Sequence, residues 1–578
     1  MFLDPQTLLP FFGGTYFPKN ARYQLPGFVD LLMRINETFE SKKEELKDQG
    51  DKLSKAFEQL KIPVVDPQIP DKELLDLSRQ NLGKQYDSQH GGFSSAPKFP
   101  TPNKISKLLL YWAHERNKGG TDKDALEMVM TTLTQMARGG IYDHVGGGFC
   151  RYSTDSKWMI PHFEKMLYDN GQLLSIFARA LQFGPDQLFE DAITQTIDWL
   201  ERDLRHPKGG FFSSVDADSG GEEGAFYAWR REELKKILTE DQYLLIETLY
   251  GVDKPANFEN KWIFYRNDSW RSVVDRLQLE PDTARESLLL SRDILFKTRE
   301  TRNAPQTDKK ILTSWNALTI KGILECAHRV NDRKDWIALA SEAIDFIHNH
   351  LWDGETLYAT WKDKAKHHGY LDDYANLLDA LLMMLETVWR EKDAQLAMRL
   401  ANSLLDKFYD QDEGGFFFTA HDQETLFTRP KPTMDHELPS GNGIASSALL
   451  RIGNLMGEHR FIEAAENTLK WARVALERLP SEHSSLLESL QELNYPSQLI
   501  ILRGPEEEIA IWKKSLLDQY TPWRQVYCIP YSIKNETPPY LPGLISADKQ
   551  QSPLAYVCQD LSCSLPISSL EELKSTLN

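Results

Sequence analysis

No stretch of this 578-residue sequence is apolar enough to cross a membrane. A transmembrane helix needs about 20 consecutive apolar residues, whereas charged residues make up 26% of this chain and interrupt every apolar run. The amino terminus also lacks the basic region, apolar core and cleavage site of a secretory signal. We therefore expect a cytoplasmic protein with no membrane contact.

Cysteine is scarce, with five residues and no C-x-x-C pair. Scattered cysteines do not form a disulfide framework, which favours a reducing compartment. The spacing of Cys558 and Cys563 is that of half a metal site, but no second Cys or His pair lies nearby. We interpret both as ordinary thiols and expect neither a metal nor a cofactor.

Positive charge is also in deficit, because 67 Lys and Arg face 85 Asp and Glu for a formal net charge of −18. Such a surface does not attract phosphate backbones, so we expect no nucleic-acid partner. Small molecules remain as the expected ligands. The oligomeric state stays open.

Three regions of the sequence differ in their pattern of apolar and turn-forming residues. Residues 1–62 contain short apolar runs broken by Pro and Gly and then helical periodicity, which predicts part of a small α/β domain. A proline-rich stretch at 61–71 predicts a linker. Residues 71–492 contain amphipathic helices separated by glycine-aromatic loops, and residues 495–578 predict a small α/β region.

The glycine-aromatic loops repeat along the central region. Each copy carries an aromatic residue after its glycines: Phe93, Phe149, Phe211 and Phe416, with Tyr358 in a degenerate copy and Phe264 as a candidate for the remaining gap. About six helix-loop-helix units follow from this spacing. The predicted fold is mainly α, an (α/α)6 toroid whose loops surround a central funnel; an open helical solenoid is the alternative.

The segment from Pro161 combines acid and base groups. As a helix opened by proline, it places His162 and Asp169 on one edge and Glu164 on the opposite edge. A carboxylate beside an imidazole raises the basicity of the imidazole, as general acid-base catalysis requires. The structural alternative is a capping or hydrogen-bond network.

A second acidic loop contains Asp216 and Asp218, which lie on one side of an extended backbone. Paired carboxylates can bracket a bond that is hydrolysed. The loop begins like a calcium-binding EF-hand, but Gly220 and Tyr227 occupy ligand positions and the match fails. A solvated acidic loop is the alternative.

The remaining candidates stand at loop-to-helix entries, which a toroid gathers at one mouth. We predict that the catalytic residues are His162, Glu164, Asp169, Asp216, Asp218 and His436. We predict that the ligand contacts are His144, Trp158, Tyr227, Trp315, Asn316, Asp372, Asp373 and Asn442. Capping explains each one singly but does not explain their shared location.

Several motifs carry a family resemblance: "FFGGTYFP", "GGFSSAPKFP", "SVDADSGGEEGAFYAW", "ILTSWNAL", "YLDDYA" and "DHELPSGN", in that order. The chain resembles the YyaL-like, spermatogenesis-associated family of thioredoxin-domain-containing proteins. The resemblance implies a thioredoxin-like domain followed by a six-hairpin toroid of the kind found in glycosidases and in N-acylglucosamine and cellobiose 2-epimerases. The chain departs from the family in opening after the C-x-x-C stretch, so no redox role is expected.

We therefore expect a carbohydrate-active protein with a sugar-like ligand in the funnel. Epimerisation would use His162 with His436 or His144 as base and acid, whereas hydrolysis would use Asp216 or Asp218 with Glu164. A non-catalytic scaffold that binds a sugar or a protein is an alternative. A thioredoxin-like redox protein is another, but its active half is missing from this sequence.

Overall fold

The computed structural model describes residues 1–22, 25–59, 68–184, 186–330, 333–424, 428–495, 497–517, 520–533, 552–559 and 562–577. The chain begins with an antiparallel pair of short strands and two helices: β1 (Phe2–Leu3), β2 (Pro10–Phe12), α1 (Phe28–Ser41) and α2 (Lys43–Gln59). This order confirms the predicted strand, turn, strand and helices. Most of the predicted linker lies outside the described residues.

Helices in outer positions alternate with helices in inner positions through the central region. The outer helices are α3 (Glu73–Gln85), α5 (Lys123–Arg138), α7 (Gln187–Trp199), α13 (Lys334–His350), α15 (Glu391–Ser403) and α17 (His459–Arg478). The inner helices are α4 (Pro102–Asn117), α6 (Leu167–Ala180), α12 (Thr313–Arg329), α14 (Leu371–Thr387), α16 (Gly441–Met456) and α18 (Ser484–Asn494).

The inner helices form a closed ring. Each packs on the next in the order α4, α6, α12, α14, α16 and α18, and α18 packs back on α4. Nearly every residue of α6, α12 and α14 is buried, as expected of helices enclosed on all sides, whereas α5 buries one face. The predicted (α/α)6 toroid is confirmed, and closure excludes the open solenoid.

Two glycines let the backbones of α6 and α12 touch. A Cβ on Gly322 would lie 2.2 Å from the carbonyl oxygen of Gly171, and a Cβ on Gly171 would lie 2.7 Å from the Cα of Thr319. Any side chain at these positions would separate the helices. The close approach fixes the spacing of the first turns that form the mouth of the ring.

The repeated glycine-aromatic loops are structural brackets between helices. Gly147 and Gly148 adopt φ of +82°, and they lie directly against Gln195 and Trp199 of α7. The next residue, Phe149, is held by Asn170 on α6: the Asn170 Oδ1 accepts from the Phe149 N–H at 2.7 Å, and its Nδ2 donates to the Phe149 carbonyl at 3.0 Å. Each loop thus packs between an inner helix and the outer helix that follows it in the chain.

The same asparagine bracket recurs twice. Asn316 of α12 makes both bonds to Phe211, and Asn442 of α16 makes both bonds to Phe416. In the degenerate copy the Tyr374 hydroxyl accepts from the N–H of Leu357. The equivalent residue there is therefore Leu357, which corrects the assignment of Tyr358.

A helical insertion lies between α7 and α12. It contains α8 (Arg231–Ile237), α9 (Glu240–Leu249), α10 (Trp270–Leu277) and α11 (Pro281–Arg299). Phe264 packs with Trp229 and Leu249 in its core. The prediction that Phe264 fills a gap in the repeat is therefore wrong, and the sixth hairpin is α17 and α18, joined by a short turn at Pro480–Glu482.

Short strands lie in the loops between the helices. They are β3 (Tyr152–Ser153), β4 (Pro161–His162), β5 (Lys165–Met166), β6 (Ser214–Val215), β7 (Asp218–Ser219), β8 (Glu222–Glu223), β9 (Thr307–Asp308), β10 (Ile311–Leu312), β11 (Tyr358–Lys362) and β12 (Lys364–His368). Strand β3 pairs with β4, β7 with β8, β6 lies between β5 and β9, and β11 between β10 and β12.

The C-terminal region is a four-stranded mixed sheet in the order β14-β13-β15-β16. Its elements are β13 (Gln498–Gly504), α19 (Glu506–Leu516), β14 (Arg524–Pro530), β15 (Leu554–Gln559), β16 (Ser562–Cys563) and α20 (Leu570–Leu577). These elements confirm the predicted α/β region. Among the residues that the structure describes, no helix of the protein combines the length and apolarity of a membrane span.

Cys558 and Cys563 form a disulfide, which corrects the interpretation of two ordinary thiols. They stand directly opposite each other where β15 pairs with β16, with their Cα atoms 3.9 Å apart. Their spacing in the sequence does not reveal this hairpin register. The other three cysteines are unpaired.

Candidate functional site

One end of the ring gathers the first turns of the inner helices. Asp373 of α14 accepts from the N–H of Ser314 at the start of α12, at 3.0 Å. A Cβ on Gly441, the first residue of α16, would lie 2.3 Å from Asp372 Oδ1. Because neighbouring first turns touch, polar residues on them share one mouth. We call the following residues the funnel mouth: Arg151, His162, Glu164, Tyr168, Asp169, Glu223, Trp315, Asp372 and Glu437.

Asp169 is a buried carboxyl group that forms no ion pair with any residue that the structure describes. The residue is 4% exposed, and its Oδ2 has no hydrogen-bond partner among the described residues. Burial raises its pKa well above the ordinary value; Arg151 opposes this shift, and the charges of Glu437 and Glu164 add to it. Asp169 therefore holds its proton where an ordinary aspartate has lost it.

The two acidic residues that open α14 differ in their contacts. Asp372 is half-buried, its Oδ1 has no partner among the described residues, and burial raises its pKa to about 6. Asp373 caps the helix, accepting from the N–H groups of Ser314 and Tyr370 at 3.0 and 2.9 Å, and burial raises its pKa to about 7. Asp372 thus faces the mouth, while Asp373 joins α14 to α12.

His162 forms a dyad with Glu223, a residue that the sequence interpretation did not select. Its Nδ1 lies 2.7 Å from Glu223 Oε1, its ring stacks on Tyr152 at 5.0 Å, and its Nε2 is 3.8 Å from Glu164. The carboxylate orients the imidazole, as in acid-base catalysis. The opposition of β7 and β8 brings Glu223 here, and only the hairpin reveals it.

The predicted helix from Pro161 is wrong, because this segment is extended. Pro161–His162 and Lys165–Met166 are strands β4 and β5, and α6 begins at Leu167. The side chain of Lys165 turns into the core, where it donates to Asp143 at 2.8 Å. His162 and Asp169 therefore belong to different elements rather than to one helix edge.

Aromatic and basic groups line the mouth beside Asp169. Trp315 of α12 meets Tyr168 of α6 edge to face, with ring centroids 4.7 Å apart. The Tyr168 hydroxyl interacts with the Arg151 guanidinium, which also pairs with Glu164 at 3.1 Å. Glu437 approaches from the loop before α16, whose backbone accepts from Gln172 of α6 at 3.0 Å.

Three predicted ligand contacts lie in the packed interior instead. His144 is 3% exposed, its Nε2 contacts the carbonyls of Arg138 and Gly139, and burial lowers its pKa to about 3. Trp158 is fully buried, and Tyr227 stacks on Phe163 at 5.4 Å. Large aromatic groups of this kind stabilise the loops behind the mouth.

The side chains of Asn316 and Asn442, which were predicted to contact a ligand, instead form hydrogen bonds with backbone groups of the protein. Both are fully buried, and each amide binds the Gly-Phe bracket and one further carbonyl. No amide group is left to face a ligand. Their position at helix starts, which suggested binding, results from the repeat itself.

Asp216, Asp218 and His436 are exposed at the rim. Asp216 Oδ1 accepts from the Asp218 N–H at 3.2 Å, and Asp218 lies opposite Glu223 in the hairpin. His436 stands on the loop before α16. Among the described residues, no group of three or more His, Cys, Asp and Glu is arranged to hold a metal ion.

The raised pKa of Asp169 predicts how its removal changes stability with pH. A carboxyl whose folded pKa exceeds the unfolded value of about 3.9 contributes stability below that value, and loses it as pH rises through the folded pKa. We expect Asp169→Asn to match the wild-type Tm near pH 4 and to exceed it at pH 7. Thermal melts across this range measure the effect, with the exposed Asp216→Asn as the control. A Tm of Asp169→Asn that is below wild type at pH 7 would contradict the assignment.

Solved structures similar to this chain include cellobiose 2-epimerase from Bacillus thermoamylovorans, at 11% identity, and a D-mannose isomerase, at 10% identity. The first covers 70% of this chain and 88% of its own, and the second 70% and 86%. Both have a TM-score of 0.45. A likeness at this level carries no argument about function.

Sequence comparisons cover the whole chain. Residues 1–58 match the family model Thioredox_DsbH, described as "Protein of unknown function, DUF255". Spermatogenesis-associated protein 20 of Homo sapiens is 30% identical over 99% of this chain and 78% of its own length, and that of Rattus norvegicus has the same identity and coverage. The chain therefore belongs to the spermatogenesis-associated protein 20 family.

Proposed function

We propose that the chain binds a neutral, sugar-like molecule at the funnel mouth and moves a proton on it, with Asp169 as acid and His162 as base. One observation carries the proposal: Asp169 is buried, forms no ion pair within the described part of the chain, and keeps its proton because burial raises its pKa. A general acid must be protonated at the working pH.

The base is the half-exposed imidazole of His162, oriented by Glu223 at 2.7 Å. In an open-chain sugar, the base takes the proton from the carbon beside the carbonyl group to give an enediolate, and the acid then donates a proton to carbon. One proton is removed and one is added, and the acid and the base return to their starting states by exchange with water. Protonation on the other face of the same carbon gives the epimer. Protonation of the neighbouring carbon, with transfer of the hydroxyl proton from one oxygen of the enediolate to the other, gives the isomer.

The composition of the funnel mouth supports a neutral ligand. Trp315 and Tyr168 supply aromatic surface for the C–H faces of a sugar, and the carboxyl groups accept hydrogen bonds from hydroxyls. Its acidic residues outnumber Arg151 and His162, so phosphorylated and uronic sugars are disfavoured. Neutral aldoses and amino sugars fit this charge.

Deuterium exchange tests the proposal. The full chain is incubated with neutral aldoses in D2O, and loss of the C2 proton signal is followed by NMR. We expect exchange with wild type, and a rate about 100-fold lower with His162→Ala or Asp169→Asn, which is the usual size of a general acid-base contribution. Glu222→Gln, the exposed neighbour of Glu223, should keep the wild-type rate. Exchange that persists in both mouth variants would contradict the proposal.

Hydrolysis is the second candidate, favoured by the electrostatic interaction of Asp169 with Glu164 and Glu437. One protonated and one ionised carboxyl group are the pair that glycoside hydrolysis uses. Hydrolysis would be indicated if the protein releases reducing ends from a glycoside and if this release is lost on replacement of Asp169 or Glu437 but not of His162. Saturable binding without either reaction would indicate the non-catalytic scaffold.

The thiols of the described residues do not support a redox function. Cys150 and Cys326 are fully buried, and burial raises the pKa of Cys150 to about 12. A reactive thiolate instead needs access and a lowered pKa. Proton transfer at the funnel mouth is therefore the better-supported chemistry.

A further inference from the structure

A chamber of about 170 Å³ occupies the other end of the ring. Its walls are the C-terminal halves of the inner helices, and the C-terminal α/β region covers it. Hydrogen bonds that join this cover to the ring include those from Lys513 of α19 to the carbonyl of Glu386, from Arg329 of α12 to the carbonyl of Leu517, and from Arg116 of α4 to the carbonyl of Tyr520. The volume holds roughly ten waters or one small organic molecule.

Most charges in the chamber wall neutralise one another. Arg179 forms a bidentate pair with Glu325 at 2.8 and 2.9 Å. Arg451 pairs with Glu492, and Lys321 donates to Asp379 at 2.6 Å. Buried pairs with this geometry are satisfied and leave no charge for a ligand.

Two glutamates of the wall have no ion pair among the described residues. Glu386 ends α14 and Glu488 stands on α18, and both line the chamber. The nearest lysines donate elsewhere, Lys513 to a carbonyl and Lys107 to Gln491 Oε1 at 2.6 Å. Burial raises the pKa of Glu386 to about 7 and also raises that of Glu488.

The cover supplies bases that lack a carboxylate partner in the described part of the chain. Arg524 donates to the Leu516 carbonyl at 3.0 Å and to Gln498 at 3.1 Å, both neutral acceptors. Burial lowers the pKa of Arg524 and of Lys513. Acids on the ring thus meet bases on the cover across one cavity.

The chamber has an entrance. Thr521 and Arg524 line both the chamber and an open crevice, whose rim includes Arg116 at the end of α4 and Lys574 on α20. A small molecule can enter from solvent beside Arg524. The route is at the opposite end of the ring from the funnel mouth.

We propose that this chamber is a second binding site, for a small zwitterion whose ammonium group contacts Glu386 and Glu488 and whose carboxylate contacts Lys513 and Arg524. Each group of the ligand meets the charge that the wall leaves unpaired. A pure cation or anion satisfies only one side. The site is independent of the chemistry proposed for the mouth.

Calorimetric titration of the full chain in phosphate buffer tests the site with three probes of equal length: 4-aminobutanoate, butylamine and butanoate. We expect saturable binding of 4-aminobutanoate and affinities at least about tenfold lower for the other two, because each loses one charged contact. Glu386→Gln and Arg524→Gln should each weaken 4-aminobutanoate at least about tenfold. Asp169→Asn, at the opposite end, should bind it as wild type does.

Absence of saturable binding by 4-aminobutanoate would overturn the proposal. Equal affinity for butylamine or butanoate, or unchanged affinity in both chamber variants, would overturn it as well. Where Glu386→Gln does not fold, Glu488→Gln removes the other carboxylate from the same wall and takes its place. Fluorescence melts establish that each variant is folded before titration.

Discussion

Replacing Asp143 by asparagine is expected to lower the free energy of unfolding by about 3–5 kcal/mol. Asp143 is 9% exposed and pairs with Lys165 at 2.8 Å and with Arg299 at 2.8 and 2.9 Å. Although burial opposes it, Arg299 and Lys165 hold the pKa of Asp143 well below its ordinary value. The variant leaves two buried cations without a counter-charge.

Denaturant unfolding of the full chain measures this loss, with Asp308→Asn as a control whose carboxylate is partly exposed. The same two cations also make the free energy of unfolding depend on pH, because they lower the pKa of Asp143. A depressed folded pKa contributes stability above the unfolded value near 3.9, and that stability is lost as pH falls. The wild type should therefore lose stability on acidification more steeply than Asp143→Asn. A cost below about 1 kcal/mol would show that the triad contributes little.

The second large effect is expected at Asn316. Asn316→Ala removes three buried hydrogen bonds, two of which bind the N–H and the carbonyl of Phe211. Each buried group left unpaired costs roughly 1–3 kcal/mol, so we expect a loss of about 3 kcal/mol or more. Asn442→Ala should behave alike, because its contacts to Phe416 are the same.

Asn103 offers a matched control, because it also stands in the first turn of an inner helix. Its Nδ2 has no hydrogen-bond partner in the part of the chain that the structure describes. We expect Asn103→Ala to change the free energy of unfolding by less than about 1 kcal/mol. If denaturant unfolding gives similar losses for Asn103→Ala and Asn316→Ala, then helix capping in general, and not the bracket, explains the asparagines.

The fold was largely predictable because its repeated loops impose the same backbone requirement on the sequence. A pair of glycines needs positive φ where a loop touches the next outer helix, as at Gly147 and Gly148. That requirement recurs in four loops, at Gly91–Gly92, Gly147–Gly148, Gly209–Gly210 and Gly414–Gly415, so their spacing indicated a ring of hairpins. The sequence did not identify Leu357 as the equivalent residue, because its N–H is bound by the hydroxyl of Tyr374, whereas three other copies use an asparagine.

The candidate site was less predictable, because side-chain direction depends on contacts between distant segments. Pro161 signals a helix start, yet pairing of β5 with β6 and the bond from Lys165 to Asp143 keep the segment extended. Glu223 reaches His162 only through a hairpin of the insertion. The sequence offers candidate acid-base residues by type, whereas their partners are visible only in the three-dimensional structure.

In this arrangement, the residues that stabilise the fold differ from those proposed to bind a ligand. Asn316 and Asp143 hold the loops, and their loss should unfold the chain. Asp169 and Asp372 each have a carboxyl oxygen with no hydrogen-bond partner in the ranges that the structure describes, so their replacement by asparagine should cost function without loss of Tm. The two kinds can be neighbours in the sequence, because Asp169 is followed directly by Asn170, which binds both backbone groups of Phe149.

Native mass spectrometry of the full chain, purified without added sugar, tests the central claim that the funnel mouth is a ligand site. The account predicts a neutral, hydroxyl-rich molecule bound to the wild type at one equivalent or, if it is lost in purification, an adduct that saturates when neutral aldoses are titrated. Asp169→Asn and Trp315→Ala, folded at the wild-type Tm or close to it, should lack that adduct. Equal occupancy in wild type and both variants, or no adduct with any neutral aldose, would contradict it.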